Sequence, residues 1–121
     1  MKFFLFYILP LIIYAGIIFY FSSLSNVGIS LSFDSGGLSL HFLEYIVFGF
    51  LVHRVLANLK TKYSGLALLI FSLAASILYG LTDEIHQSFV PNRAVSIIDL
   101  GADSLGAFVG ILAYYLIKRK N

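Results

Sequence analysis

The sequence predicts an all-α integral membrane protein, an up-and-down four-helix bundle with both termini in the cytoplasm. Three observations carry that expectation. Hydrophobic residues make up 60% of the 121 positions. Asp, Glu, Lys and Arg together make up 12%, about half the usual share for a soluble domain. Uncharged runs long enough to cross a bilayer recur along the chain, and the mean hydropathy is +0.94. The length suits one domain over residues 1–121.

The first helix is expected over about 3–21 and the third over about 65–89, because Phe3 to Phe21 and Gly65 to Leu81 hold no charge. Each run approaches the roughly 20 residues that a helix needs to span the hydrocarbon. The second and fourth helices are expected over about 38–56 and 96–117. They are long enough but contain ionisable residues, His41, Glu44, His53 and Arg54 in one and Asp99 and Asp103 in the other. Backbone in lipid must satisfy its own hydrogen bonds, so these stretches are helical and their polar side chains face inward or lie near an interface. Lys2 followed by an apolar run and Ser22-Ser23-Leu24-Ser25 gives the first helix a signal-peptide look. The run is longer than a secretory core, so an uncleaved helix is expected, with Pro10 marking a kink.

Orientation follows from the basic residues. Lys2, Arg54, Lys60, Lys62, Lys118, Arg119 and Lys120 fall on one side of this arrangement and Arg93 alone on the other. That bias predicts cytoplasmic termini and external loops at 22–37 and 82–95. Several of the eight tyrosines fall near span ends, as interfacial anchors do. Two stripes of small residues, Ala102, Gly106 and Gly110 on the fourth helix and Ser72, Ser76 and Gly80 on the third, predict close contact between those two helices.

Composition also excludes chemistry. With no cysteine there is no disulfide, thiolate metal site, Cys nucleophile or CxxC redox centre. Net charge +2 is not a nucleic-acid footprint, because the basic residues sit at the ends of apolar runs. The lipid bilayer is the expected partner, and oligomeric state is left open.

All six acids, Asp34, Glu44, Asp83, Glu84, Asp99 and Asp103, fall in the outer half of this topology. Acids contribute little to orientation, so that rule does not explain them. On a helix Asp83, His86 and Gln87 share one face, His41, Glu44 and Tyr45 another, and Asp99 and Asp103 a third. Glu84 points off the first of these faces, and His53 beside Arg54 reads as an ordinary interfacial residue. Pro91-Asn92 marks a turn after the third helix. Ser96 and Asp99 match a capping pattern, whereas Asp103 lies about 10 Å inside the fourth span, where an ionisable side chain is costly and a functional or paired role is the default. As a structural residue it would donate a hydrogen bond to Tyr79 or Gln87, and as a ligand it would hold a cation or substrate.

These residues also carry a resemblance. His41-Phe42-Leu43-Glu44-Tyr45-Ile46-Val47-Phe48-Gly49 resembles the first block of the VanZ-like family of small membrane proteins. Tyr79-Gly80-Leu81-Thr82-Asp83-Glu84-Ile85-His86-Gln87-Ser88-Phe89-Val90-Pro91-Asn92-Arg93, followed by Ser96, Asp99, Asp103, Gly106 and Gly110, resembles the second. One departure stands out. Gly37 and Leu38 occupy the positions where the family often has an Asp-Lys pair, leaving Asp34 as the nearest acid. The resemblance implies an integral membrane protein, associated in some members with reduced susceptibility to glycopeptide antibiotics such as teicoplanin. It implies no established reaction.

Six acids against Arg93 make the outer half a site for a cation, either a divalent metal or a substrate amine. Carboxylates suit Mg²⁺ or Ca²⁺, while His41 and His86 with one carboxylate suit Zn²⁺. The N-termini of the second and fourth helices, with Arg93, favour an anion such as a phosphate. Three readings follow. In one, the site binds or shields a lipid-linked cell-envelope substrate through His41, Glu44, Gln87 and Arg93. In another, an enzyme acts on a lipid-linked phosphate, with His86 or Asp83 as acid or base and Asp99 and Asp103 holding a divalent cation. A structural polar network in a subunit of a larger complex is the third.

Overall fold

The computed structural model describes residues 1–25 and 35–120, and the side chains of all of these except 35–39. Asp34 lies outside the described residues. The described residues form four α-helices: α1 (Leu9–Ser22), α2 (Ser35–Leu56), α3 (Gly65–Gln87) and α4 (Ile97–Lys120). The expected helices are all present, with α2 starting three residues earlier than anticipated and α4 ending three later. Where a kink is expected at Pro10, the helix changes type. A π-helical turn, Phe4–Ile8, immediately precedes α1, and Pro10 falls in the first turn of α1. Proline has no N–H to donate and its ring crowds the carbonyl four residues back, which a widened turn relieves.

Local capping explains where α3 and α4 begin. Ser64 Oγ accepts the Ala67 N–H at 3.2 Å, and Ser96 Oγ accepts the Asp99 N–H at 3.1 Å, so each helix starts on a serine cap. The segment between α3 and α4 turns at Asn92, whose φ of 62° is a left-handed conformation that asparagine tolerates.

Polar residues lie inside and apolar ones outside. Among the described residues the buried polar side chains are Ser22, His53, Ser72, Ser76, Asp83, Glu84, Gln87 and Asp103, outnumbering the buried hydrophobic ones, Ile18, Tyr45, Phe48, Val52, Ala107 and Ile111. Large hydrophobic side chains such as Phe6, Ile12, Leu66, Leu78 and Phe108 are exposed. In water such an arrangement would leave the hydrophobic effect unspent, whereas in lipid it is the expected one. Three stretches, Phe4–Ser22, Gly65–Gln87 and Ile97–Lys120, are long and apolar enough to cross a membrane.

The small-residue stripes work differently from the expectation. A Cβ on Gly106 would overlap the Phe42 carbonyl oxygen, one on Gly110 the Ile46 carbonyl oxygen, and one on Gly49 the backbone of Ala107. The glycines of α4 therefore lie against the backbone of α2, not of α3. On α3 the stripe continues by steps of three and four from Ser72, Ser76 and Gly80 to Asp83, Glu84 and Gln87, and these six are its buried residues. Gly80 faces the side chains of Leu100, Tyr45 and Asp103, so α3 lies over the seam where α2 meets α4.

Basic residues collect where helix ends meet. Arg54 lies over the Tyr7 ring with its guanidinium carbon 4.9 Å from the ring centre. Lys118 Nζ donates to the Ala57 carbonyl and to Asn58 Oδ1, and Asn58 Nδ2 donates to Tyr114 Oη at 2.7 Å.

Candidate functional site

Five of the six acids come together at the opposite end, and the fold brings three helices to them. His41 on α2 stands with Nδ1 at 2.9 Å from Asp103 Oδ1 on α4. Neither Tyr79 nor Gln87 is the partner of Asp103: Tyr79 Oη donates to the Ala15 carbonyl at 2.6 Å and Gln87 Nε2 to Asp83 Oδ2 at 2.9 Å. On its other side His41 meets Glu84 and Asp99. One potential ligand atom from each of His41, Glu84 and Asp99 lies within 4.8 Å of the other two.

Glu84 is the residue that helical-face reasoning set aside, yet only 1% of it is exposed. Its Oε2 accepts the Ser96 N–H at 3.0 Å. In a capping box the acid three residues after the cap would take that N–H. Here an acid from α3 takes it, and the Asp99 side chain turns toward His41 and Glu84 instead. Extending the Ser72, Ser76, Gly80 stripe along α3 would have found Glu84, since burial runs continuously along that line.

Several buried oxygens in this region have no partner. Tyr45 Oη, Asp83 Oδ1, Glu84 Oε1 and Asp103 Oδ2 are fully enclosed and accept or donate no hydrogen bond among the described residues. Tyr45 and Asp103 both border Gly80. A buried polar atom without a partner costs about 1–3 kcal/mol, and more when charged. Four in one region leave unspent bonding capacity for a donor or a cation.

Two of the expected site residues turn elsewhere. His86 stacks on Phe19, with ring centres 4.3 Å apart, and its Nε2 is 2.9 Å from Ser23 Oγ. The Ser23 hydroxyl donates to the Phe19 carbonyl at 2.7 Å, so it accepts from the His86 Nε2–H. Arg93 donates from Nε to the Leu24 carbonyl at 3.1 Å and from a terminal nitrogen to the Phe21 carbonyl at 3.3 Å. Both residues thus hold the C-terminal end of α1, where free carbonyls invite a cation. His53 has a comparable structural role at the basic end. It is 2% exposed, and its Nδ1 lies 2.7 Å from Ser72 Oγ.

A family profile described as VanZ/LLP1 matches residues 3–118, nearly the whole chain. The protein belongs to the VanZ/LLP1 family. No curated protein and no solved structure matches it. Membership and the exposed apolar helices together make this a membrane protein of that family. Within it, the two blocks that carry the sequence resemblance supply every member of the His41, Glu84, Asp99 and Asp103 group, and the first-block residue Tyr45 and second-block residue Gly80 line its inner side.

Proposed function

We propose that this VanZ-family protein is a four-crossing, up-and-down bundle with cytoplasmic termini that captures the headgroup of a lipid-linked cell-envelope molecule at its outer, acidic end. The orientation rests on the gathering of seven of eight basic residues at the other end. In this reading α2 is the remaining crossing, its ionisable residues turned toward α3 and α4 or placed near an interface. The observation that carries the functional reading is the set of enclosed oxygens on Tyr45, Asp83, Glu84 and Asp103 without hydrogen-bond partners among the described residues. A headgroup bearing amines or hydroxyls would supply the missing donors, and holding it there would shield it from an amphiphilic antibiotic such as teicoplanin.

A second reading, catalysis on a lipid-linked phosphate, is favoured by the His41–Asp103 pair. An imidazole oriented by a carboxylate is the geometry of a general base. In that case His41 is the acid or base in place of His86, whose Nε2–H is committed to Ser23.

Mass spectrometry of the protein purified in mild detergent tests the reading. A lipid-linked molecule with amine or hydroxyl groups should co-purify with the parent and be lost from Asp83→Asn and Glu44→Gln, and expression of the parent should lower teicoplanin susceptibility. A folded parent that carries no such molecule would end the headgroup reading. Turnover of that molecule by the parent but not by His41→Gln would select the catalytic one.

A further inference from the structure

We propose that His41, Glu84 and Asp99 bind one first-row divalent cation of the Zn²⁺ type, with Asp103 as the carboxylate that orients His41. The proposal rests on the reading of the acidic end as a ligand-binding site, and names the ion through which that site would hold a phosphate or water.

Four observations converge. The three side chains come from α2, α3 and α4, and their nearest potential ligand atoms already lie within 4.8 Å of one another. Tetrahedral ligands bound at about 2.0–2.2 Å stand about 3.3–3.6 Å apart, so closure around an ion draws these atoms together by up to about 1.5 Å. Second, the His41 Nδ1 bond to Asp103 Oδ1 leaves Nε2 as the coordinating nitrogen. A metal-bound histidine usually donates its other N–H to a carboxylate in this way, which fixes its tautomer and ring orientation.

Third, Glu84 is all but sealed from solvent, with Oε2 held by the Ser96 N–H and Oε1 without a partner among the described residues. A carboxylate oxygen left bare at such depth calls for a counter-charge more than for a neutral donor. Fourth, Asp99 is released from the capping box by Glu84, while its own N–H is still satisfied by Ser96 Oγ. One turn of backbone therefore presents Asp99 to the ion at no cost to the start of α4.

The donor set selects the metal. An imidazole with two carboxylates is softer than the all-oxygen shells of Mg²⁺ and Ca²⁺, and it lacks the thiolates of structural zinc sites. Three protein ligands leave a fourth position for water or a phosphate oxygen, as in sites that act on a bound ligand. Asp103, whose Oδ2 is free beside Tyr45 and Gly80, stays a positioning residue.

The test uses the full chain in detergent, stripped with a chelator and titrated calorimetrically with ZnCl₂, MnCl₂, MgCl₂ and CaCl₂, with Co²⁺ absorption as a direct spectroscopic readout. One equivalent of Zn²⁺ should bind and raise Tm, with Mg²⁺ and Ca²⁺ weaker by about 10-fold or more. Co²⁺ should give visible ligand-field bands in the parent that vanish in His41→Gln. Glu84→Gln and Asp99→Asn should each weaken Zn²⁺ by more than about 10-fold. Should Glu84→Gln fail to fold, Asp99→Asn still decides, because the Asp99 carboxylate carries no hydrogen bond among the described residues. His86→Gln, on the α1 side, should bind as the parent does.

A folded parent with no stoichiometric Zn²⁺ binding overturns the proposal, as does unchanged binding by Asp99→Asn or loss of binding in His86→Gln. A lipid that co-purifies with a protein indifferent to every metal would sink the metal site alone. Zn²⁺ bound by a protein that carries no lipid would sink the headgroup reading alone.

Discussion

His41 on α2 and Asp103 on α4 are 62 positions apart in sequence and 2.9 Å apart in space, nitrogen to oxygen. Asp103 is 1% exposed and reaches no other hydrogen-bond partner among the described residues, so the pair fixes one oxygen of the acid and the ring orientation of the histidine together. It forms beside the contact between Gly106 and the Phe42 carbonyl, where α2 and α4 approach backbone to backbone. The glycines bring the helices close, and the polar pair sits beside the Gly106 contact, with the Gly110 contact to the Ile46 carbonyl tighter still.

Asparagine at position 103 keeps an acceptor for the His41 Nδ1–H but removes the charge. Asp103→Asn should therefore stay within about 1 kcal/mol of the parent in detergent stability, whereas Asp103→Ala, which strands the histidine, should lose about 3–5 kcal/mol. Zn²⁺ affinity of the Asn variant should fall by about 10–100-fold. Thermal denaturation and calorimetric titration check both. Equal stability losses for Asn and Ala would remove the positioning role and make the charge itself the structural element.

Hydropathy made the helices legible, because apolar runs of spanning length are a local property that a sequence displays. The polar faces were legible in part: His41, Asp99 and Asp103 meet, but Glu84 was placed off the shared face when the pattern was started at Asp83. Counting from Ser72 puts Glu84 on the buried line, since a helix face is wide enough to hold both neighbours. His86 and Arg93 could not be assigned from spacing. Their partners lie on α1, more than 60 residues away, and only tertiary packing shows that a histidine one turn from a buried acid points the other way. The α4 glycines failed for a related reason, as small residues announce a close contact without naming its partner.

Those glycines give a sharp stability prediction. A methyl at Gly106 or Gly110 would strike backbone carbonyl oxygens of α2, which cannot swing aside as a side chain can. Gly106→Ala and Gly110→Ala should each cost about 1–3 kcal/mol. Gly16 and Gly101 meet nothing within 4 Å, so alanine there should be neutral or stabilising by up to about 1 kcal/mol. Similar losses at all four positions, measured by thermal denaturation, would show that backbone conformation rather than helix contact sets the cost.

Arg93→Gln should loosen α1 without touching the acid cluster. Its two hydrogen bonds go to the Phe21 and Leu24 carbonyls at a partly exposed site, so a stability loss near 1 kcal/mol is expected. Zn²⁺ binding should stay within about 2-fold of the parent, since no ligand of the site moves. Unchanged Tm with loss of a co-purifying phospho-headgroup would reverse this assignment and return Arg93 to the anion-binding role that its place in the sequence suggested.

Orientation decides which leaflet the site can serve. The chain has no native cysteine, so single substitutions Thr61→Cys, Ala94→Cys and Asn121→Cys give unambiguous labels. Thr61 and Ala94 are exposed, the first among the basic residues between α2 and α3 and the second on the segment between α3 and α4 beside the acids. The basic bias predicts that an impermeant thiol reagent applied to intact cells labels position 94 and spares 61 and 121, which react only after the membrane is opened. Labelling of 61 and 121 but not 94 would invert the bundle. The acids would then face the cytoplasm, the outer-leaflet capture of an envelope precursor would fall, and the His41–Glu84–Asp99 site would have to find its phosphate or water at the inner leaflet.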